Sequence, residues 1–140
     1  MGRRIVVSGL PMLAVFILNV ILDTQWRAYD VWPGLSWVMH GIGGFVVAWS
    51  TVRWYDRLPT SARPRVGPPA AAAFCLVGAA AMVGILWEVY EYFLDRVAAA
   101  AVQPSVGDTV ADLVMDMAGA AVYCLAAWQS IKRRSYLGPR

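Results

Sequence analysis

Hydrophobic residues in this chain gather in four long runs, at about 5–22, 31–54, 69–94 and 109–131. Each approaches the ~20 residues that a helix needs to cross a ~30 Å hydrocarbon layer. The pattern predicts an all-α polytopic membrane protein: a four-transmembrane-helix bundle in which residues 1–140 form a single integral membrane domain. Pro33 and the Gly41, Gly43, Gly44 cluster fall inside the second run, where bilayer helices tolerate them better than soluble helices do. Alanine runs at 70–73, 79–81 and 98–101 let neighbouring helices approach closely, a packing role.

The polar positions inside these runs are few and not random. Glu88, Glu91, Asp112 and Asp116 interrupt stretches otherwise apolar enough to span a bilayer, and no Lys or Arg lies deep enough in those stretches to balance them. A charge near a bilayer centre costs roughly 2.5–3.5 kcal/mol on insertion scales, so these acids need a compensating partner. Asp108, Asp112 and Asp116 recur at i, i+4, i+8, and Glu88, Glu91 and Asp95 at i, i+3, i+7, so each set occupies one helical face. Counting ~1.5 Å per residue from the span ends puts Glu88, Asp116 and His40 at ~10–12 Å and Glu91 and Asp112 at ~6 Å, in one layer of the membrane. Asn19 and Asp23 come close to the same level from the first span. Asp108 after Gly107 fits an N-cap, and Asp23 and Asp95 fit solvated interface positions.

Charge sets orientation. Arg3 and Arg4 precede the first run, Arg53, Arg57, Arg63 and Arg65 lie between the second and third, and Lys132, Arg133, Arg134 and Arg140 follow the fourth. The other two connections hold only Arg27 and Arg96. The positive-inside rule therefore predicts both termini in the cytoplasm and the polar layer in the outer half of the bilayer. The net charge of +3 follows from that bias and does not point to nucleic acid. The first run lacks a small-x-small cleavage site before Asp23 and is expected to stay as an anchor. Cys75 and Cys124 cannot make a zinc-type cluster and are expected as free, buried thiols in the cytoplasmic halves.

Four ionised carboxylates against at most one imidazolium cannot all persist in a low-dielectric layer. Either some carboxyls stay protonated or a cation sits among them; an inward-folding Arg27 or Arg96 would instead make a structural salt-bridge network. One imidazole with several carboxylates suits magnesium, manganese, iron(II) or zinc with open positions. In that reading His40, Asp112 and Asp116 are the metal ligands, and Glu88 or Glu91 is the catalytic base that activates a bound water. Glu-x-x-Glu with a lone histidine disfavours a di-iron centre, and no His-Glu-x-x-His motif is present. Ser36 stands four residues before His40, within reach of it, a spacing also common in membrane helices. Trp26, Tyr29, Trp32 and Trp37 at one boundary, with Trp54 and Tyr55 at the other, read as interface belts; Trp87, Tyr90 and Tyr92 flank the acidic stripe in belt or packing roles.

The runs SWVMHGIGGFVVA, WEVYEYFLD and GDTVADLVMDMAGA resemble the motifs of the YjdF-like small bacterial membrane proteins, with a looser similarity to the VanZ-like proteins. The resemblance covers three of the four runs. It implies a bacterial inner-membrane protein whose recurring polar positions correspond to His40, Glu88, Glu91, Asp112 and Asp116, and it implies no activity. The chain is shorter than many such proteins, which leaves open whether a homo-oligomer or a partner membrane subunit completes the bundle within the lipid bilayer. Three functional expectations result: a metal-dependent hydrolase acting on a small or lipid-borne substrate, a proton or cation transporter, and a structural polar network. The cytoplasmic halves of the spans are mainly Ala, Val, Leu, Gly and Cys, so no polar path continues inward, which disfavours permeation.

Overall fold

The computed structural model describes residues 2–32, 34–64, 67–98, 103 and 105–136. Pro33, Arg65, Arg140 and the alanines at 99–101 lie outside the described residues. The order is α1 (Gly2–Thr24), α2 (Ala28–Val31), α3 (Leu35–Arg57), a 3₁₀ turn (Thr60–Ala62), α4 (Pro69–Ala98), α5 (Val106–Ala126) and α6 (Trp128–Tyr136), with no strand among the described residues. By length and composition α3, α4 and α5 can each cross a membrane, and α1 adds a shorter apolar stretch over Gly9–Asp23.

Helix limits differ from the hydropathy runs where local chemistry intervenes. The second span starts at Leu35 instead of near 31, because the turn α2 is set off by Arg27 in the left-handed region, φ 47°. The fourth starts three residues early, because Ser105 and not Asp108 is its N-cap: the Ser105 hydroxyl accepts the Asp108 N–H at 3.1 Å. That leaves Asp108 in the first turn, where an acid suits the helix dipole. The fourth run also breaks at Ala127, and the chain resumes as α6, which buries Ile131 and sends Arg134 to Asp56 of α3 in a two-pronged ion pair of 2.7 and 2.8 Å. That carboxylate holds the Arg134 proton even more firmly than usual.

The packing is that of a protein whose solvent is apolar. Large hydrophobic side chains face outward, among them Leu13, Phe74, Met82, Leu86, Phe93 and Leu125. Small residues fill much of the interior, with Ala48, Ala80 and Ala120 almost wholly buried. Cys124 is buried as expected, whereas Cys75 is exposed, one position off the inward stripe of α4. α3 is central: α1, α4 and α5 each pack on it, and α4 also packs on α5. α3 and α5 meet most closely, through glycine. A Cβ on Gly44 would overlap the Asp116 carbonyl, and one on Gly119 would overlap the Gly41 carbonyl. Such close approach replaces the hydrophobic drive that helices lose in lipid with van der Waals contact.

Candidate functional site

The acids reach the interior because two stripes turn toward α3. On α4, Leu76, Ala80, Gly84 and Glu88 are buried at successive i, i+4 positions; on α5, Asp112, Asp116 and Ala120 do the same. Asp112 is 2% exposed, and Glu88 and Asp116 are each 6% exposed. Counted along the helices from the observed ends of α3, α4 and α5, His40 lies ~8 Å in, Asp112 ~9 Å, and Glu88 and Asp116 ~15 Å.

His40 of α3 stands between two carboxylates of α5. Its Nδ1 is 3.1 Å from Asp116 Oδ2, and its Nε2 is 3.6 Å from Asp112 Oδ2. Glu88 joins from α4: His40, Glu88 and Asp112 each offer one ligand atom, all within 4.8 Å of one another. The grouping thus contains Glu88, while Asp116 sits on the other ring nitrogen. Gly84 makes room for this arrangement, since a Cβ there would overlap the Asp116 carboxylate.

Neighbouring groups hold the carboxylates in place. The Ser36 hydroxyl lies 3.1 Å from both oxygens of Asp112, so it serves that carboxylate and not His40. Gln103, in the α4–α5 connection, donates from Nε2 to Glu88 Oε2 at 3.2 Å and to Thr109 Oγ1 at 2.8 Å. Its backbone N–H goes to Asp95 Oδ2 at 3.1 Å, so Asp95 is tied to the loop instead of only solvated. Sequence reasoning missed Gln103; its one signal was an isolated amide in a connection otherwise built of small and apolar residues. Trp87, expected in a belt or in packing, donates its indole N–H to Glu91 Oε1 at 2.6 Å and sets its ring edge-on to His40 with centroids 6.4 Å apart. Glu91 is thereby turned to Trp87 on its own helix and lies outside the three-residue grouping.

Neither Arg27 nor Arg96 balances the acids. Arg27 pairs with Asp30 at 2.7 Å, and Arg96 lies over the Tyr92 ring, 5.3 Å from its centroid. Among the described residues, two buried side-chain oxygens have no hydrogen-bond partner: Ser50 Oγ and Glu88 Oε1. A helical serine can turn its hydroxyl to the carbonyl of the preceding turn. A carboxylate oxygen has no such recourse, since it needs a proton, a donor or a cation.

Sequence comparison adds lineage. The sequence model of the family described as "Predicted membrane protein (DUF2238)" matches residues 6–133, which include every residue of the site. The chain belongs to the DUF2238 family. That assignment agrees with the YjdF-like resemblance of the His40, Glu88 and Asp112 segments. No curated protein and no solved structure shows a significant match to this family member.

Proposed function

We propose that this DUF2238 protein is a four-span bacterial inner-membrane protein with cytoplasmic termini, whose polar site binds a divalent cation and acts on a small or lipid-borne substrate at the outer leaflet. The observation that carries the reading is Glu88 Oε1: a buried carboxylate oxygen without a partner, in a residue grouped with His40 and Asp112 within 4.8 Å. A cation there satisfies that oxygen and offsets the acid charge at once. The roles assigned from spacing alone are redistributed. Nε2 of His40, Glu88 and Asp112 are the ligands; Asp116 accepts the Nδ1 proton of His40 and fixes the tautomer that leaves Nε2 free.

One nitrogen and two carboxylate ligands favour manganese, iron(II) or zinc over magnesium, and leave positions for water and substrate. A divalent cation held by these three residues would lower the pKa of a bound water and so supply a nucleophile for hydrolysis. Glu91, one turn beyond Glu88 and hydrogen-bonded to Trp87, would have to leave that bond to act as the base that receives its proton. The test is calorimetric titration of metal-stripped protein with Mn²⁺ and Zn²⁺: wild type binds, Glu88→Gln does not, and absence of binding in wild type overturns the reading.

A second reading has its own support. An imidazolium between Asp112 and Asp116, at 3.6 and 3.1 Å, would bind the two helices without any metal. In that case the network is structural, and neutralising Asp112 or Asp116 lowers thermal stability in chelator as much as in metal.

A further inference from the structure

A cavity of about 380 Å³ lies beside the carboxylate cluster, enclosed by α1, α3 and α4. Its walls are apolar, from Met12, Phe16, Met39, Val46, Val47 and Val83. Its polar boundary is His40 and Asp116, with Asn19 of α1. One face of the His40 environment is thus the three-residue grouping, and another is this apolar chamber.

The chamber has a mouth. The Cα traces of α1 and α4 nowhere come within 8 Å of each other, so both helices pack on α3 and stand apart on its far side. The Phe16 ring crosses that gap, edge-on to Trp87 at 5.3 Å and tilted against Tyr90 at 6.2 Å. Leu13, Phe16 and Val83 line the cavity and are also exposed, at 51%, 40% and 36%. The opening is therefore at the lateral surface of the bundle, between two helices whose outward side chains are apolar. An opening there admits what is dissolved in hydrocarbon.

We infer that the cavity receives the hydrocarbon chain of a bilayer amphiphile, entering between α1 and α4, with its oxygen-bearing head group at His40. The volume is near the lower end of the roughly 300–1,000 Å³ of small-molecule sites, which suits one chain and not two. The apolar wall gives the chain no advantage over lipid, so selection comes from the polar end, where the head group leaves hydrocarbon for His40 and Asp116. The inference deepens the proposed function, which supplies the role of the polar end: it names the substrate class as a membrane lipid that seats one chain in the cavity.

The test uses the full chain in phosphatidylethanolamine–phosphatidylglycerol vesicles, with palmitic acid carrying a mid-chain diazirine as the probe. After photolysis, adducts mapped by mass spectrometry concentrate on Met12, Val46 and Val83 and exceed those on Phe74, which faces outward on α4 at 79% exposure. Val83→Trp, and independently Met12→Trp from the opposite wall, fill the chamber and lower the cavity adducts roughly tenfold by overpacking. Adducts as frequent on Phe74 as in the cavity, or unchanged by both tryptophans, overturn the inference. So does an interchain disulfide formed by Val83→Cys in a Cys75→Ser, Cys124→Ser background, which would put a second copy over the mouth. Metal content measured on the same samples separates the two claims. Cavity labelling without metal supports the lipid chain and overturns the metal reading; metal with uniform labelling does the reverse.

Discussion

His40 and Asp116 face each other across the α3–α5 crossing with Nδ1 and Oδ2 3.1 Å apart, while the opposite ring nitrogen of His40 turns to Asp112. A neutral imidazole can donate from one nitrogen only, so a proton held on Nδ1 by Asp116 leaves the Nε2 lone pair for a cation. The pair is built by backbone contact: Gly44 lets the Asp116 carbonyl in, and Gly84 leaves space for its carboxylate.

If Asp116 orients His40 instead of binding metal, Asp116→Asn weakens metal affinity by about 10–100-fold without abolishing it. Glu88→Gln and Asp112→Asn abolish it. Calorimetric titration with Mn²⁺ distinguishes the cases, and equal loss in all three variants would make Asp116 a ligand.

The glycine contacts predict a stability pattern. Gly44→Ala and Gly119→Ala force a Cβ into backbone of the facing helix and destabilise the fold by about 1–3 kcal/mol. Gly78→Ala, where a Cβ meets nothing within 4 Å, is neutral or slightly stabilising. Thermal unfolding in detergent reads all three, and a Gly44→Ala protein as stable as wild type would contradict the packing described.

Much of this was legible from spacing. The i, i+4 recurrence of Asp112 and Asp116 and the i, i+3 pair of Glu88 and Glu91 identify the acid-bearing faces, because helical periodicity determines them. Periodicity does not determine how one helix is rotated against another, so it could not say that Glu88 and not Asp116 groups with Asp112, or that Trp87 captures Glu91. Those facts depend on Gly44, Gly84 and Gly119 setting the crossing. Nor could it reveal the separation of α1 from α4, since both read as apolar runs. Gln103 escaped notice because a loop residue carries no periodic signal.

Among the described residues, Gln103 is the side chain that donates a hydrogen bond to the Glu88 carboxylate. Gln103→Leu should therefore destabilise the metal-free protein by about 1–3 kcal/mol, the cost of leaving a buried acceptor unpaired. Bound cation should recover part of the loss. Melting temperatures of the variant with and without Mn²⁺ check this, and an unchanged metal-free value would remove Gln103 from the account.

Orientation is testable with single cysteines in a Cys75→Ser, Cys124→Ser background. In intact cells, Asp30→Cys reacts with a membrane-impermeant maleimide and Thr60→Cys does not until the membrane is opened. The reverse pattern would place the site in the cytoplasmic half.

The most direct measurement is the metal content of the full chain purified without chelator, by mass spectrometry of the elements, beside Asp112→Asn. The account predicts near-stoichiometric manganese, iron or zinc in the wild type and almost none in the variant. A folded wild type free of divalent metal, and unable to take it up on titration, would contradict it.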